Sequence, residues 1–265
     1  MFSIEIQCPP EQHDMVIADL WEHSPAGIVE LEGGGLRAFF QGGADPVALA
    51  ARFGAVSWRQ EADRDWVEAS RANWEPLAVG TRFFLVPEWR NDPAPEGRFR
   101  IAVNPGMAFG TGRHETTQLC LEALERHAGN GARVLDVGTG SGILAQAATM
   151  LGAARVWACD IDPDAVEIAR IAAGPDVFIG SADAIRSGTA DVITANISAE
   201  AIVRLAPDLL RALRRGGVAL VSGFEQHEAA AVQAELERCG GAVREARCKG
   251  NWVLVEVGVT LVGGV

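Results

Sequence analysis

Tyrosine is missing from these 265 residues, and lysine nearly so, with Lys249 standing alone among arginines. That skew reads as genomic composition and excludes nothing about function. The five cysteines, Cys8, Cys120, Cys159, Cys239 and Cys248, form no C-x-x-C pair and have no histidine cluster of zinc spacing beside them. A zinc site or redox couple is therefore not expected, and reduced, mostly buried thiols are; no metal is assigned. Positive charge is short, with 23 basic against 35 acidic residues and a net charge of -12. That is the wrong sign for direct binding to nucleic acid through the protein's own phosphate contacts, whereas a basic macromolecular partner would be attracted. Nowhere do 18 apolar residues follow one another, and the start, Met-Phe-Ser-Ile-Glu-Ile, has neither a basic end nor an apolar core. No membrane association is expected, and the place expected for the chain is the cytoplasm.

The length suits one main domain with a small companion. Residues 2–7 alternate apolar and polar, residues 11–23 carry helical pairs (Val16 with Leu20, Ile17 with Trp21), and residues 27–32 and 36–41 read as strands around Gly33-Gly34-Gly35. A short helix from Asp45 to Phe53 and a strand near Val56-Ser57-Trp58 complete a βαββαβ order, the ferredoxin-like pattern. Residues 1–56 hold 8 acidic and 2 basic side chains, net -6, on a module without chemistry of its own, which suits recognition. Residues 61–75 look like a charged helix punctuated by Trp66 and Trp74, either packing it down or offering a docking face. The expected boundaries are a small α+β recognition domain over 1–57, a linker helix over 58–76 and a main domain over 77–265.

Two strands near 82–87 and 98–103 lead into the main domain, and from residue 133 strands and helices alternate. Strands are expected at about 133–138, 154–160, 176–180, 190–197 and 218–224, with helices at about 142–151, 163–173, 199–215 and 227–239. Pro207 should kink or split the helix it occupies. Strand-like segments at 242–248 and 251–259 close the chain. This alternation makes a doubly wound, mainly parallel α/β sheet, with its ligand at the carboxyl ends of the strands.

The most informative stretch is Arg133-Val-Leu-Asp-Val-Gly-Thr-Gly-Ser-Gly142. A strand that delivers Gly138, Gly140 and Gly142 to a helix start is a nucleotide-binding turn, because a ligand can lie against backbone that has no Cβ. Dinucleotide folds want G-x-G-x-x-G, and here Ile143 holds the third position. Asp136, two residues before the first glycine, would repel a pyrophosphate but suits a cationic amino-acid tail. S-adenosylmethionine fits that description. Asp160 ends the next strand 22 residues beyond Gly138, where its carboxylate can accept hydrogen bonds from both ribose hydroxyls. Ile161 follows it in the cofactor set, while Asp162 before Pro163 reads better as a helix cap.

Asn196 ends the fourth strand, where its side-chain carbonyl could orient an incoming nucleophile toward the methyl group. Methylating a lysine amine at neutral pH first requires losing a proton, roughly 4 to 5 kcal/mol from a pKa of about 10.4. Acceptors binding the neutral amine in a dry pocket would supply part of this, and no single residue need be a general base. Asn104-Pro-Gly-Met-Ala-Phe-Gly-Thr-Gly-Arg-His-Glu-Thr-Thr117 reads as a lid: Gly106, Gly110 and Gly112 make it pliable and Phe109 offers a ring. A helix burying Thr117, Leu121, Leu124 and Ala128 follows, with the Thr117 hydroxyl toward the ligand. His114 is structural or site-lining, and not catalytic.

With these segments in view, nearly all of the chain resembles the PrmA family of ribosomal protein methyltransferases. The most specific stretch is Pro-Gly-Met-Ala-Phe-Gly-Thr-Gly-Arg-His-Glu-Thr-Thr, which is similar to that family's Pro-Gly-x-Ala-Phe-Gly-Thr-Gly-x-His-x-Thr-Thr. Asp160-Ile-Asp-Pro and Asn196-Ile-Ser-Ala fall where the family has Asp-Ile-Asp-Pro and Asn-Ile-Leu-Ala. The resemblance implies a seven-stranded class I methyltransferase (Rossmann-like) sheet beside the small ferredoxin-like domain. It implies S-adenosylmethionine as cofactor, held by Thr117, Gly138, Asp160 and Asn196, with Asp136, Gly140 and Ile161 completing the cofactor set. Asn196 would also meet the acceptor amine. The implied reaction is methylation of lysine side chains and the N-terminal amine of a basic large-subunit ribosomal protein; separately, a monomer is expected. Two departures, Ser198 in place of leucine and a short stretch between Ala172 and Asp191, leave Ser181 and Asp183 both open as adenine-side groups. The competing readings are a methyltransferase for another protein or small-molecule amine, and a cofactor-sensing module without transfer.

Overall fold

A computed structural model describes residues 2–9, 12–21, 23, 25, 27–31, 34–40, 45–60, 74–104, 112–129, 131–174 and 176–259. The chain divides into two compact units, Met1–Trp74 and Glu75–Val265. The helix expected over 61–75 lies almost wholly outside the described residues.

In the first unit β1 (Phe2–Gln7), β2 (Gly27–Leu31), β3 (Gly35–Phe40) and β4 (Ser57–Gln60) form a sheet of order β2-β3-β1-β4. All three pairings are antiparallel. Helices α1 (His13–Trp21) and α2 (Pro46–Arg52) supply Leu20 and Leu49 to a core with Phe2, Ile4, Ile6, Leu36 and Phe40. Asp45 caps α2 by accepting from the Val47 and Ala48 amides, ahead of a proline that needs no donor partner. Trp21, paired with Ile17 by the helical spacing, is instead half exposed.

The second unit carries two sheets. The smaller joins β5 (Leu77–Val79), β6 (Phe83–Pro87) and β7 (Phe99–Val103), with β6 and β7 parallel. The larger has seven strands: β8 (Arg133–Val137), β9 (Arg155–Asp160), β10 (Val177–Ile179), β11 (Ala190–Asn196), β12 (Leu213–Glu225), β13 (Gly241–Lys249) and β14 (Trp252–Val259). Their order is β10-β9-β8-β11-β12-β14-β13, parallel up to β12, with β14 antiparallel to both its neighbours. Strands with both faces covered read as continuous apolar runs, and period-two alternation sorts them here into two cores. Leu135, Val137, Ile193, Ala195, Ala219 and Val221 enter one core, while Val134, Val192, Val218, Leu220 and Leu254 enter the other.

Helix α3 (Glu115–His127), with α4 (Ile143–Met150), covers the second core; α6 (Ala199–Ala212) and α7 (Ala229–Arg238) cover the first. Helix α5 (Pro163–Ala173) completes the set, and no described helix is long and apolar enough to cross a membrane. Pro207 does not split α6: the helix runs unbroken through it. Proline removes the hydrogen bond to the carbonyl four residues back. Both Pro207 and Val203 are exposed, so water can take that carbonyl. The helix ends at Ala212, three residues short of the sequence expectation, because Leu213 already belongs to β12.

Helices α4 and α5 approach closely at Gly142, whose φ is +80° and where an added Cβ would lie 3.0 Å from the Ala169 Cα. At Gly131, with φ +77°, an added Cβ would meet nothing nearer than Ala154 at 3.9 Å. Gly131→Ala should therefore cost about 1 kcal/mol, the backbone strain alone, and Gly142→Ala about 2–4 kcal/mol, strain plus overpacking. Urea unfolding of the two variants measures the difference; equal losses would remove the packing argument.

Candidate functional site

A cavity of about 430 Å³ runs along the carboxyl ends of the parallel strands. From the sheet edge inward its floor is Gly180 and Ser181 after β10, Asp160 and Ile161 at the end of β9, Gly138 to Gly140 after β8, and Asn196 to Ser198 after β11. Gly223 of β12 and Trp252 at the start of β14 continue it, and His114, Thr116 and Thr117 come from the start of α3.

The glycine turn is held by backbone. The amides of Gly138 and Thr139 both donate to the Cys159 carbonyl, at 2.9 and 3.0 Å. The φ angles at Gly138 and Gly140 are +69° and +52°, a region where a side chain is strained. A Cβ on Gly138 would also collide with Ile197. Asp160 receives the Gly140 amide on Oδ2 at 2.9 Å and the Asp162 amide on Oδ1 at 3.1 Å. A carboxylate has about four lone-pair sites, so one on each oxygen is left for a ligand. Ile161 beside it is 77% exposed, an apolar surface at the cavity rim.

Two of the sequence-assigned groups are placed differently from the expectation. Gly142 does not line the cavity, and its freedom serves the contact with α5. Asp136 is 1% exposed and sits beneath the cavity instead of in its wall, accepting the Thr139 hydroxyl at 2.7 Å and the Thr194 hydroxyl at 2.6 Å. Thr194 is its register partner across β8 and β11. Burial pushes the Asp136 carboxyl above its ordinary value, against which the two hydroxyls act.

Asn196 donates from Nδ2 to the Thr117 hydroxyl oxygen at 3.3 Å, joining the end of β11 to the first turn of α3. Its Oδ1 is buried and has no hydrogen-bond partner among the described residues. Such an atom normally costs about 1–3 kcal/mol, so at a cavity wall it is a ready acceptor for a ligand N–H or O–H. His114 caps α3, accepting the Thr116 amide on Nδ1 at 3.4 Å, and its ring meets the Trp252 ring edge-on with centroids 4.5 Å apart. Both rings line the cavity.

Asp162 caps α5, as expected, by accepting the Asp164 amide at 2.9 Å. Ser198 caps α6 by accepting the Ala201 amide at 3.3 Å, a structural use for the residue that departs from the family pattern. Of the two adenine-side candidates Ser181 lines the cavity and Asp183 does not. Gly106, Phe109 and Gly110 of the expected lid lie outside the described residues. Trp252 and Gly223 went unassigned, since a lone tryptophan opening a strand and a lone glycine within one carry no spacing signal. The Gly223 Cβ position is taken by the Ile197 backbone. Cys159, buried under the turn, has its thiol pushed up to about 12 by burial, and Cys120 is raised for the same reason. Neither is a nucleophile. Cys8 is also buried, while Cys239 is half-buried and Cys248 exposed. Among the described residues no His, Cys, Asp and Glu group could hold a metal.

A family model described as ribosomal protein L11 methyltransferase (PrmA) matches residues 43–259. The ribosomal protein L11 methyltransferase of Pelotomaculum thermopropionicum is 42% identical over 206 residues, 75% of this chain and 67% of that protein. That of Symbiobacterium thermophilum is 42% identical over 225 residues, 83% of this chain and 71% of that protein. Among solved structures, the ribosomal protein L11 methylase of Lactobacillus delbrueckii subsp. bulgaricus superposes with a TM-score of 0.65 at 31% identity, covering 70% of this chain and 99% of that one.

The buried carboxylate gives a pH test. Because burial raises Asp136 in the fold, its ionisation weakens the fold as pH climbs from the unfolded value of about 3.9 to the raised folded value. Thr194→Val removes one of its two hydroxyl donors and raises that value further. Unfolding free energy should fall by about 1–3 kcal/mol, with the deficit widening as pH rises through the Asp136 titration. A deficit that widened toward acid instead would contradict this role.

Proposed function

The chain belongs to the PrmA family of ribosomal protein L11 methyltransferases, and from that premise we propose that it methylates lysine side chains and the N-terminal amine of that ribosomal protein. By family and fold it is an S-adenosylmethionine-dependent methyltransferase. The observation that carries the proposed site is the unpartnered, buried Oδ1 of Asn196, braced through Nδ2 by Thr117 in a cavity whose far end offers Asp160.

The residues present fit the cofactor. Asp160 would take the ribose hydroxyls on its two free lone pairs, Ile161 and Ser181 would flank the adenine, and the turn at Gly138 and Gly140 would let the amino-acid portion lie against backbone. Asp136 acts from below, by holding that turn to β11. Bound there, the cofactor supplies an electrophilic methyl on a sulfonium. Asn196 Oδ1 accepts an N–H of the acceptor and so holds the neutral amine, whose lone pair is the nucleophile. Making it neutral costs roughly 4 to 5 kcal/mol for a lysine at neutral pH. A water-poor wall offsets part of that cost by disfavouring the ammonium. No side chain need keep the proton, which leaves to water.

Strand order supports a separation of the two reactants. Neighbouring strands lie about 4.8 Å apart, so Asp160 on β9 and Trp252 on β14 stand some four strand spacings apart with Asn196 between them. The β9 and β10 end belongs to the nucleoside, and the end with Trp252, His114 and Gly223 belongs to the acceptor. The first unit recognises the substrate: residues 1–56 carry net -6, a charge that attracts a basic ribosomal protein and raises its rate of encounter. A ribosomal-protein substrate supports the cytoplasm as the enzyme's location.

Calorimetry with S-adenosylmethionine, followed by mass spectrometry of the ribosomal protein, tests the proposal; no binding and no gain in steps of one methyl would sink it. Asp160→Ala should weaken cofactor affinity by about 10- to 100-fold, since the hydrogen bonds lost are to a charged acceptor, and should lower thermal stability without unfolding the chain, since the Gly140 and Asp162 amides lose the same acceptor. Trp252→Ala should instead raise the KM for the ribosomal protein with little change in cofactor affinity. An effect of Trp252→Ala on cofactor affinity alone would reverse the assignment of the two ends.

A further inference from the structure

At the opposite end of the large sheet, where the parallel strands begin, a second cavity of about 350 Å³ opens beside Arg214 and Arg244. Two irregularities in the sheet build it. Pairing between β11 and β12 jumps from Ala190↔Leu213 to Val192↔Val218, which throws out the segment Arg214-Arg215-Gly216-Gly217. Pairing between β13 and β14 jumps from Val243↔Val257 to Glu245↔Glu256, which leaves Arg244 as the extra residue of a bulge. Bulges re-aim side chains. Arg244 is aimed across Gly258, where any Cβ would collide with its guanidinium.

The carboxylates at this end are already engaged. Asp191 accepts the Arg133 amide at 2.7 Å and Nε at 3.0 Å on Oδ2, and Arg214 Nε on Oδ1. Glu256 accepts from Arg126 and from His127, at 2.9 Å for the latter. Four arginines thus face two carboxylates in a chain whose net charge is -12. Arg244, which makes no ion pair among the described residues, and Arg214, whose Nε is on Asp191 and whose Nη1 is on the Arg215 carbonyl at 3.2 Å so that Nη2 remains, line this cavity together with the glycine backbone of Gly129, Gly131 and Gly216.

We propose that this cavity is a second binding site, for a small phosphate monoester. A guanidinium fork matches phosphate oxygens two at a time, and glycine backbone allows close approach. The volume exceeds that of a bare phosphate and lies at the lower end of the range for small-molecule sites. The overall negative charge favours a compact anion over an extended polyanion such as RNA, which would meet repulsion along its length.

Titration of the full chain with ribose 5-phosphate and with inorganic phosphate, read by calorimetry, tests this. Ribose 5-phosphate should bind saturably, more tightly than inorganic phosphate, and equally well with S-adenosylmethionine present. Arg244→Glu should weaken it at least about tenfold, from the loss of a charged hydrogen-bond donor, with unchanged cofactor affinity and methyl transfer. Absence of saturable binding, displacement by the cofactor, or equal binding by the Arg244→Glu protein would overturn the proposal. So would binding of an RNA oligonucleotide, steeply weakened by salt, when the small probes fail.

Discussion

A carboxylate taken out of water must be given hydrogen bonds by the protein, and at Asp136 those bonds decide where the site is. Its two donors come from the glycine turn that follows its own strand, through Thr139, and from the neighbouring strand, through Thr194. Were either donor to move, a buried carboxyl oxygen would be left without its hydrogen bond, a loss several times thermal energy. The turn after β8 and the end of β11 are thereby fixed to each other. On that frame rest Gly138 and Gly140 on one side and Asn196 on the other.

Helix α3 is fixed by the same kind of contact at its far end. Glu125 accepts the Thr81 and Arg82 amides at the turn of the small sheet, and Arg126 and His127 bind Glu256 in β14. Burial works against the charge of Glu256, yet these two donors outweigh it and hold the carboxyl below its ordinary range. A helix tied at its last turn presents its first turn reproducibly. That is where Thr117 meets Asn196 and where His114 meets Trp252.

The two ends of the large sheet therefore differ in chemical character. The carboxyl ends carry a wall of apolar and neutral groups with one partly free acid, Asp160, suited to a cationic cofactor and a neutral amine. The opposite end gathers arginines around saturated carboxylates. Separation matters, because a surplus of arginine beside the sulfonium would oppose cofactor binding by like-charge repulsion.

The alternation of strands and helices, the glycine turn, Asp160 at a strand end and Asp162 at a helix start were legible in the chain itself, because each is written by neighbours in sequence: period, turn chemistry and capping are local. So was the family, through one run of thirteen residues. What the sequence could not decide is anything that depends on who stands opposite. Gly142 looks like a third ligand glycine until Ala169 is found against it, and Asp136 looks like a binding acid until Thr194, 58 residues away, is found on it. Trp252 joins His114, and Arg244 joins Arg214, only because strand order and two register shifts bring them together. Local preference chooses the elements, and long-range packing and the hydrogen-bonding of buried charge choose which side chains face the ligand.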